Sequence, residues 1–307
     1  MGTCPTRPMT GRNRMPMRDS EWLIDRFEAR RGYLRAVAYR MLGSFSEADD
    51  AIQEVWLRLN RSDASDIENL NAWLTTVVGR VCLNMLRSRG RRREELVGVR
   101  VPDPIVSGEH EMDPAEEVDL ANSVGLALMV VIETLAPAER LAFVLHDMFA
   151  VSFEEIAAML GRSPDAARQL ASRARRRVQG EAMVSDADLS TQWQIVDAFL
   201  AAARNGDFDR LVGLLDPDVV LKANAGSSGA SEDRGAEVVA GQALLWSRPD
   251  QTVKRALVNG TAGVVTIRHG RPFAVVGFTI RGGKIAELDI LADPERLASL
   301  DLTILEN

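Results

Sequence analysis

Three groups of side chains have types and spacings suited to binding chemistry. Asp49, Asp50, Gln53 and Glu54 recur at helical spacing beside an apolar stripe of Ile52, Val55, Trp56 and Leu59. Arg80, Arg87, Arg89, Arg91, Arg92 and Arg93 form a run with no acid between them. Residues 152–178 hold six arginines against three acids, in a chain of 307 residues whose net charge is -7. Arginine presents a planar fork that pairs with phosphate or with a guanine edge. An acidic helix face suits a basic protein partner. No set of residues suits covalent or metal chemistry. Cys4 and Cys82 are far apart, and His110, His146 and His269 are scattered, so neither a disulfide framework nor a zinc site is expected and a reducing compartment fits.

The elements that must hold the second arginine group are legible. Ser152 and Glu155 have capping-box spacing, so a helix starts there. Phe153, Ile156, Ala157 and Leu160 lie on one face, and Gly161 stops the helix. Ser163 caps the next helix with Pro164 at its first position. That helix buries Ala167, Leu170, Ala171, Ala174 and Val178 and turns Arg168, Gln169, Ser172, Arg173 and Arg176 outward. A short helix, a glycine turn and an arginine-lined helix make a helix-turn-helix. A solvated basic helix without a ligand is the plainer alternative. The cap, the glycine and the arginine face together favour a DNA groove. In the first block, residues 69–93 carry a buried stripe of Leu74, Val77, Val78, Val81 and Met85, with Arg80, Asn84 and Arg87 away from it.

The chain divides by composition. Residues 1–19 read as a basic disordered tail, with Met15 or Met17 as an alternative start. Residues 20–93 are helical. Residues 94–119 are a linker rich in proline, glycine and acids, among them Asp103, Glu109, Glu111, Asp113, Glu116 and Glu117. Residues 120–180 are helical again, and residues 186–307 change to helices followed by short alternating runs. No apolar run is long enough to span a bilayer, and the basic start lacks the apolar stretch expected of a signal peptide.

Asp49-Asp50-Ala51-Ile52-Gln53-Glu54, Trp73-Leu74 and the arginine-rich end resemble region two of an extracytoplasmic-function sigma factor. Residues 135–178 resemble its region four. The resemblance implies that Asp49, Asp50, Gln53 and Glu54 dock on core RNA polymerase. It implies that Arg80, Asn84 and Arg87 meet the melted minus-ten element, although the family often has an acid where Asn84 stands. Arg168, Gln169, Ser172, Arg173 and Arg176 are implied to meet the minus-thirty-five element, with a phosphate contact at Arg140. In the family the acidic linker threads the polymerase cleft, where its charge can mimic a nucleic-acid strand. A solvated tether explains the linker equally well.

A minimal factor of this kind ends near Gly180. Beyond it come a helix through Trp193, Val196, Phe199 and Leu200, a helix over residues 236–246, and strands at 252–258, 263–268, 273–280 and 284–291. Asn259-Gly260 and Arg281-Gly282-Gly283 are hairpin turn signals. This order resembles the SnoaL-like (polyketide-cyclase-like) branch of the nuclear-transport-factor-two-like cone, and the pairing with sigma regions resembles the sigma-J type. Residues 292–297, "ADPERL", resemble the family's NPDKL-type segment. The expected fold is multi-domain: two all-α sigma domains, then an α+β cone with a curved antiparallel sheet. Trp246, Phe273 and Phe278 are candidate pocket residues for an unknown small-molecule ligand, with His269 or Asp289 at the mouth; core aromatics and solvated polar groups are the plainer reading. The chain is expected to be a cytoplasmic promoter-specificity factor with no cofactor, no metal, no membrane contact and no chemistry of its own, its C-terminal domain acting in cis. An enzyme on a DNA-binding tether and a regulator that binds duplex DNA alone are the alternatives. The acidic helix argues against the last.

Overall fold

The structure, a computed structural model, describes residues 17–62, 67, 69–93, 101–108, 126–181, 185–226 and 229–302. Most of the N-terminal tail, His110, and the linker acids Glu109, Glu111, Asp113, Glu116 and Glu117 lie outside the described residues.

Three helices open the fold: α1 (Met17–Leu42), α2 (Phe45–Leu59) and α3 (Leu70–Arg93). After the two-residue strand β1 (Val106–Ser107) come α4 (Leu126–Thr134), α5 (Pro137–Phe143), a π-helical turn (Val144–Met148), α6 (Phe153–Leu160) and α7 (Pro164–Glu181). The apolar stripes of these two helical groups do not form separate cores. Leu34, Ile52 and Leu74 from the first group and Ile132, Leu141, Ile156 and Ala171 from the second belong to one continuous cluster. The contact is close because Gly79 has no side chain. A Cβ there would stand 3.0 Å from the Met159 sulfur and 3.4 Å from Leu141 Cδ1, so α3 lies directly against α5 and α6.

The C-terminal unit begins with α8 (Leu189–Asn205) and α9 (Phe208–Leu214). It continues through β2 (Leu215–Asn224), β3 (Ala230–Arg234), α10 (Ala236–Trp246), β4 (Gln251–Val258), β5 (Thr261–Arg268), β6 (Arg271–Arg281), β7 (Lys284–Leu291) and α11 (Pro294–Leu297). The strand order is β1-β4-β5-β6-β7-β2-β3. The meander β4 to β7 is antiparallel, as its hairpin glycines predict, whereas β2 runs parallel to β7, so the sheet is mixed. Asn259-Gly260 and His269-Gly270 each place two consecutive residues at positive φ, the backbone of a tight two-residue hairpin. The concave face packs on α8, α9 and α10 through Val196, Phe199, Leu211, Val239 and Phe278. The opposite face buries Ala256, Val258, Val265, Val275 and Leu291 with Leu297 and Leu300, and Phe45 of α2 packs against this second layer.

The linker departs from a solvated tether over its described part. β1 joins the free edge of β4, with Val106 opposite Val258 and Ser107 opposite Leu257. Asn259 extends the pairing. Its backbone N–H donates to Ile105 O at 2.7 Å, and its side-chain oxygen accepts from Ile105 N at 2.7 Å. A sheet edge offers unpaired backbone groups to any extended segment within reach, and here the segment is the chain's own linker.

Candidate functional site

The helix-turn-helix forms as its residues dictate. Ser152 accepts from Glu155 N while the Glu155 carboxylate accepts from Ser152 N at 3.2 Å, closing the capping box. Gly161 ends α6 at φ 65°, in the left-handed region, and Ala166 N donates to Ser163 Oγ at 3.2 Å to cap α7. Ala167, Leu170, Ala171, Ala174 and Val178 are buried. Arg168, Gln169, Arg173 and Arg176 are exposed on the opposite side, and Ser172 is half-buried. These residues are therefore brought to one outer face. Arg168 pairs with Asp165 at 2.5 Å and lies over the Phe153 ring, and Arg173 lies 3.7 Å from Glu139. Arg175 is held inward by Asp147. Exposed pairs of this kind contribute little stability and exchange readily, so a phosphate can displace the carboxylates from Arg168 and Arg173.

On α2, Asp49, Asp50 and Gln53 are exposed and Glu54 is half-buried. Asp49 accepts from Arg35 at 2.7 Å and Glu54 from Arg58 at 2.8 Å. On α3, Asn84 and Arg87 are exposed. Asn84 lines a groove between α2 and α3 together with Glu47, Met85 and Arg89. Arg80 is also exposed, yet its guanidinium donates to Ala158 O of α6 at 3.0 Å. Of the three arginine and asparagine positions on α3, one is thus engaged by the helix-turn-helix unit.

The phosphate contact expected of Arg140 is not available in this arrangement. Its side chain is 3% exposed. It donates to Glu133 Oε1 at 3.0 Å and to Met41 O at 2.9 Å. A charge can be buried only when it is paired, and Glu133 supplies the partner. Arg89 joins the network through Glu47 and Leu42 O, with Glu133 Oε2 at 3.7 Å. The group ties α1 and α3 to α4 and α5. Gly43, at φ 68°, leaves room for it, because a Cβ there would lie 2.3 Å from Glu133 Oε1.

Asp103 is the second buried junction, and among the linker acids it is the one the structure describes. It has no exposed surface. Its carboxylate accepts from Phe45 N at 2.8 Å and pairs with Arg296 of α11. Its N–H donates to Gly43 O at 2.9 Å, its carbonyl accepts from the Tyr39 hydroxyl, and Arg296 also donates to Val101 O at 2.7 Å. Tyr39 stacks on Phe45 with ring centres 4.4 Å apart. Helical block, linker and C-terminal unit meet at this one aspartate. Arg296 lies in the "ADPERL" segment and Asp103 in the acidic linker, but their pairing spans 193 residues and leaves no local trace.

The C-terminal unit has an apolar cavity under its curved sheet. Trp246 and Phe278 line it. Phe273 touches Trp246 with ring centres 6.2 Å apart and carries Arg268 over its face, outside the lining. His269 and Asp289 are not at the mouth. His269 is 81% exposed in the β5–β6 turn, where its tolerance of positive φ explains it better than a ligand does. Asp289 alternates with the cavity residues Leu288 and Ile290 along β7, which puts it on the opposite face of the sheet beside Glu287 and Lys222. Among the described residues no group of His, Cys, Asp and Glu is arranged to hold a metal.

Residues 26–92 match the family model for sigma-70 region 2, and residues 125–178 match that for sigma-70 region 4. The chain is 39% identical over 298 residues to the ECF RNA polymerase sigma factor SigJ of Mycobacterium tuberculosis (strain ATCC 25618 / H37Rv), covering 91% of this chain and 94% of that protein. It is 33% identical over 278 residues to the probable ECF RNA polymerase sigma factor SigI of the same species (strain CDC 1551 / Oshkosh), covering 89% and 94%. The crystal structure of M. tuberculosis SigJ superposes on it with a TM-score of 0.69 at 37% identity, covering 91% of this chain and 99% of that one.

Proposed function

The chain belongs to the extracytoplasmic-function sigma-factor family, and from that membership we propose that it binds core RNA polymerase and directs it to promoters whose minus-ten element meets region two and whose minus-thirty-five element meets region four. The family is one of transcription initiation factors rather than enzymes, so phosphoryl transfer belongs to the polymerase. We assign region two to residues 20–93, the linker to 94–119, region four to 120–180 and the SnoaL-like regulatory unit to 186–307. The place of action is the cytoplasm, where such factors meet polymerase. Among the described residues no helix is long and apolar enough to cross a membrane.

The observation that carries the reading is the coexistence of two outward faces of opposite charge on one shared core. Asp49 and Asp50 offer acids to a basic protein surface, with Gln53 beside them and Glu54 at their edge; Arg168, Gln169, Arg173 and Arg176 offer donors to a groove, with Ser172 beside them. A regulator that binds DNA alone has no use for the first face. Asn84 and Arg87 are the region-two groups open to a melted strand. Arg80 becomes available when α6 moves away.

The C-terminal unit acts in cis by holding the linker. Arg296 and the edge of β4 fix residues 101–107 from one side, while Tyr39, Gly43 and Phe45 fix them from the other. A linker so held cannot span the separation between two promoter elements. Initiation therefore requires release of β1 and Asp103, and the regulatory unit sets the cost of that release.

Run-off transcription with purified core polymerase, on templates selected from a random promoter library, tests both parts. Polymerase-dependent initiation is expected from the full chain. Higher output from Arg296→Ala than from the full chain is expected if the clamp restrains initiation. Absence of initiation from both, with both folded, removes the sigma reading. Equal output from both removes the clamp alone.

A further inference from the structure

The cavity under the sheet has the marks of a binding site, and its ligand chemistry does not depend on the sigma assignment. Its volume is about 110 Å³, and its walls are side chains such as Phe199, Leu221, Trp246, Phe278 and Ile290. An apolar cavity of roughly 150 Å³ stays dry and binds benzene; this one is smaller but opens at a rim where Arg204 and Arg248 are exposed, so it suits a short branched chain or a ring seated partly at the mouth. Apolar voids cost stability when empty, because the surrounding side chains relax into them only partially.

Its polar groups are few. Thr266 Oγ1 already donates to Ala274 O at 3.3 Å. Gln251 lines the cavity with its side-chain oxygen buried and without a hydrogen-bond partner. An orphaned buried amide atom costs free energy until a ligand group reaches it. Gln242 and Ser247 also line it, half-buried, and Arg204 and Arg248 are exposed at the rim, at the carboxyl ends of α8 and α10. Arg204 Nε donates to Leu200 O at 3.3 Å, and neither arginine has an acidic partner among the described residues. No Asp, Glu or His lines the cavity. Acid–base conversion of a substrate has no agent there, so the site holds a molecule rather than converting it.

We propose that this cavity binds a small apolar monocarboxylate, its ring or chain seated between Phe278 and Trp246 and its carboxylate held at the rim by Arg204 and Arg248. The field at the rim supports an anion. Each helix carboxyl end contributes roughly half a negative charge, against two full positive charges from the guanidiniums. A cationic head group meets those arginines as like charges. A neutral one loses the charge-assisted bonds but keeps the apolar burial.

Three probes of one size and three head groups decide the matter: 3-phenylpropionate, 3-phenylpropanol and 3-phenylpropylamine, titrated calorimetrically into the full chain near neutral pH. The carboxylate is expected to bind at least about tenfold more tightly than the alcohol, as charge-assisted bonds require, with the amine weakest. In the double variant Arg204→Gln/Arg248→Gln the carboxylate should fall to the affinity of the alcohol while the alcohol is unchanged. In Ala243→Phe, which fills the cavity from a half-buried position, binding of all three should be lost. The proposal is overturned by equal affinity of acid and alcohol, by an acid preference that survives loss of both arginines, by binding that survives filling of the cavity in a folded variant, or by no binding of any probe. Thermal unfolding of each variant separates loss of the site from loss of the fold. Because the readout is binding, transcription can fail while this stands, and the reverse.

Discussion

Burial decides what individual side chains can do here, and two residues show it in opposite ways. Cys82 lies fully within the helical core, and burial pushes its thiol up to about 12. The thiolate is the reactive form, so with Cys4 replaced by serine the folded chain should take up no maleimide or disulfide reagent at mildly alkaline pH. In denaturant it should take up one equivalent; rapid labelling of the folded form would contradict the buried position. Asp289 is also buried, but as an acid. Desolvation first, then the neighbouring Glu287 charge, raise its carboxyl well above the ordinary range, against the pull of Lys222. The folded state then keeps this proton to higher pH than the unfolded chain does. Stability is lost as pH rises from the ordinary carboxylate value of about 3.9 through the raised one. Asp289→Asn should therefore melt above the unmodified chain at neutral pH, with the difference closing as pH falls toward that ordinary value. A constant difference across melting curves from about pH 4 to about pH 8 would show that Asp289 is not the titrating group.

At the scale of elements, the helix-turn-helix stands on local signals and is open to local tests. Ser152→Ala removes the side-chain half of the capping box, leaving its backbone N–H to the Glu155 carboxylate, and should cost about 1 kcal/mol of stability. Gly161→Ala meets nothing within 4 Å, so its cost is the left-handed backbone alone, about 1 kcal/mol. Chemical denaturation measures both, and costs near zero would mean that α6 is held by packing and not by its ends. The same local character is why this pair, α10 and the strand ends at Val258 and Leu291 are legible in the sequence: caps, glycines and hairpin turns sit within a few residues of what they define. The His269-Gly270 hairpin carries the same kind of signal, and reading His269 as a ligand overlooks it. β1 has no local signal. Val106 and Ser107 are a strand only because β4 offers an edge, and that edge comes from a unit about 150 residues later in the chain. Arg140 is similar: its spacing suits a surface helix, whereas its burial depends on Met41 O, 99 residues earlier, and on Glu133 in the preceding helix.

The whole molecule poses a problem of reach that no single element poses. Regions two and four share a core, with Gly79 against Met159 and the Glu133–Arg140–Arg89 network between them. Two promoter elements lie apart along a duplex, so both cannot be read by faces locked together. Separating the regions exposes apolar surface, at roughly 25 cal/mol per Å², and breaks the contacts of Arg140 with Met41 O and of Glu133 with Arg89, while Arg140 and Glu133, both in region four, stay paired. A ligand shifts an equilibrium only by its differential affinity for the two states. On the reading proposed above, polymerase takes the acidic face of α2 and the two regions at separate places and so has that differential affinity; duplex DNA of one element does not. Because Cys82 is shielded, introduced thiols can report the change. With Cys4→Ser, dyes on Asn60→Cys at the end of α2 and Arg162→Cys in the helix-turn-helix, both exposed positions, should show high energy transfer in the free chain. Transfer should fall on addition of core polymerase and stay unchanged on addition of a short duplex alone. Gly79→Leu, which forces α3 away from Met159, should lower the transfer before any partner is added and reduce the amount of polymerase needed to reach the open state. If transfer is already low in the free chain, the shared core is not the resting state, and the proposed control by the C-terminal unit must act on something other than the distance between the two regions.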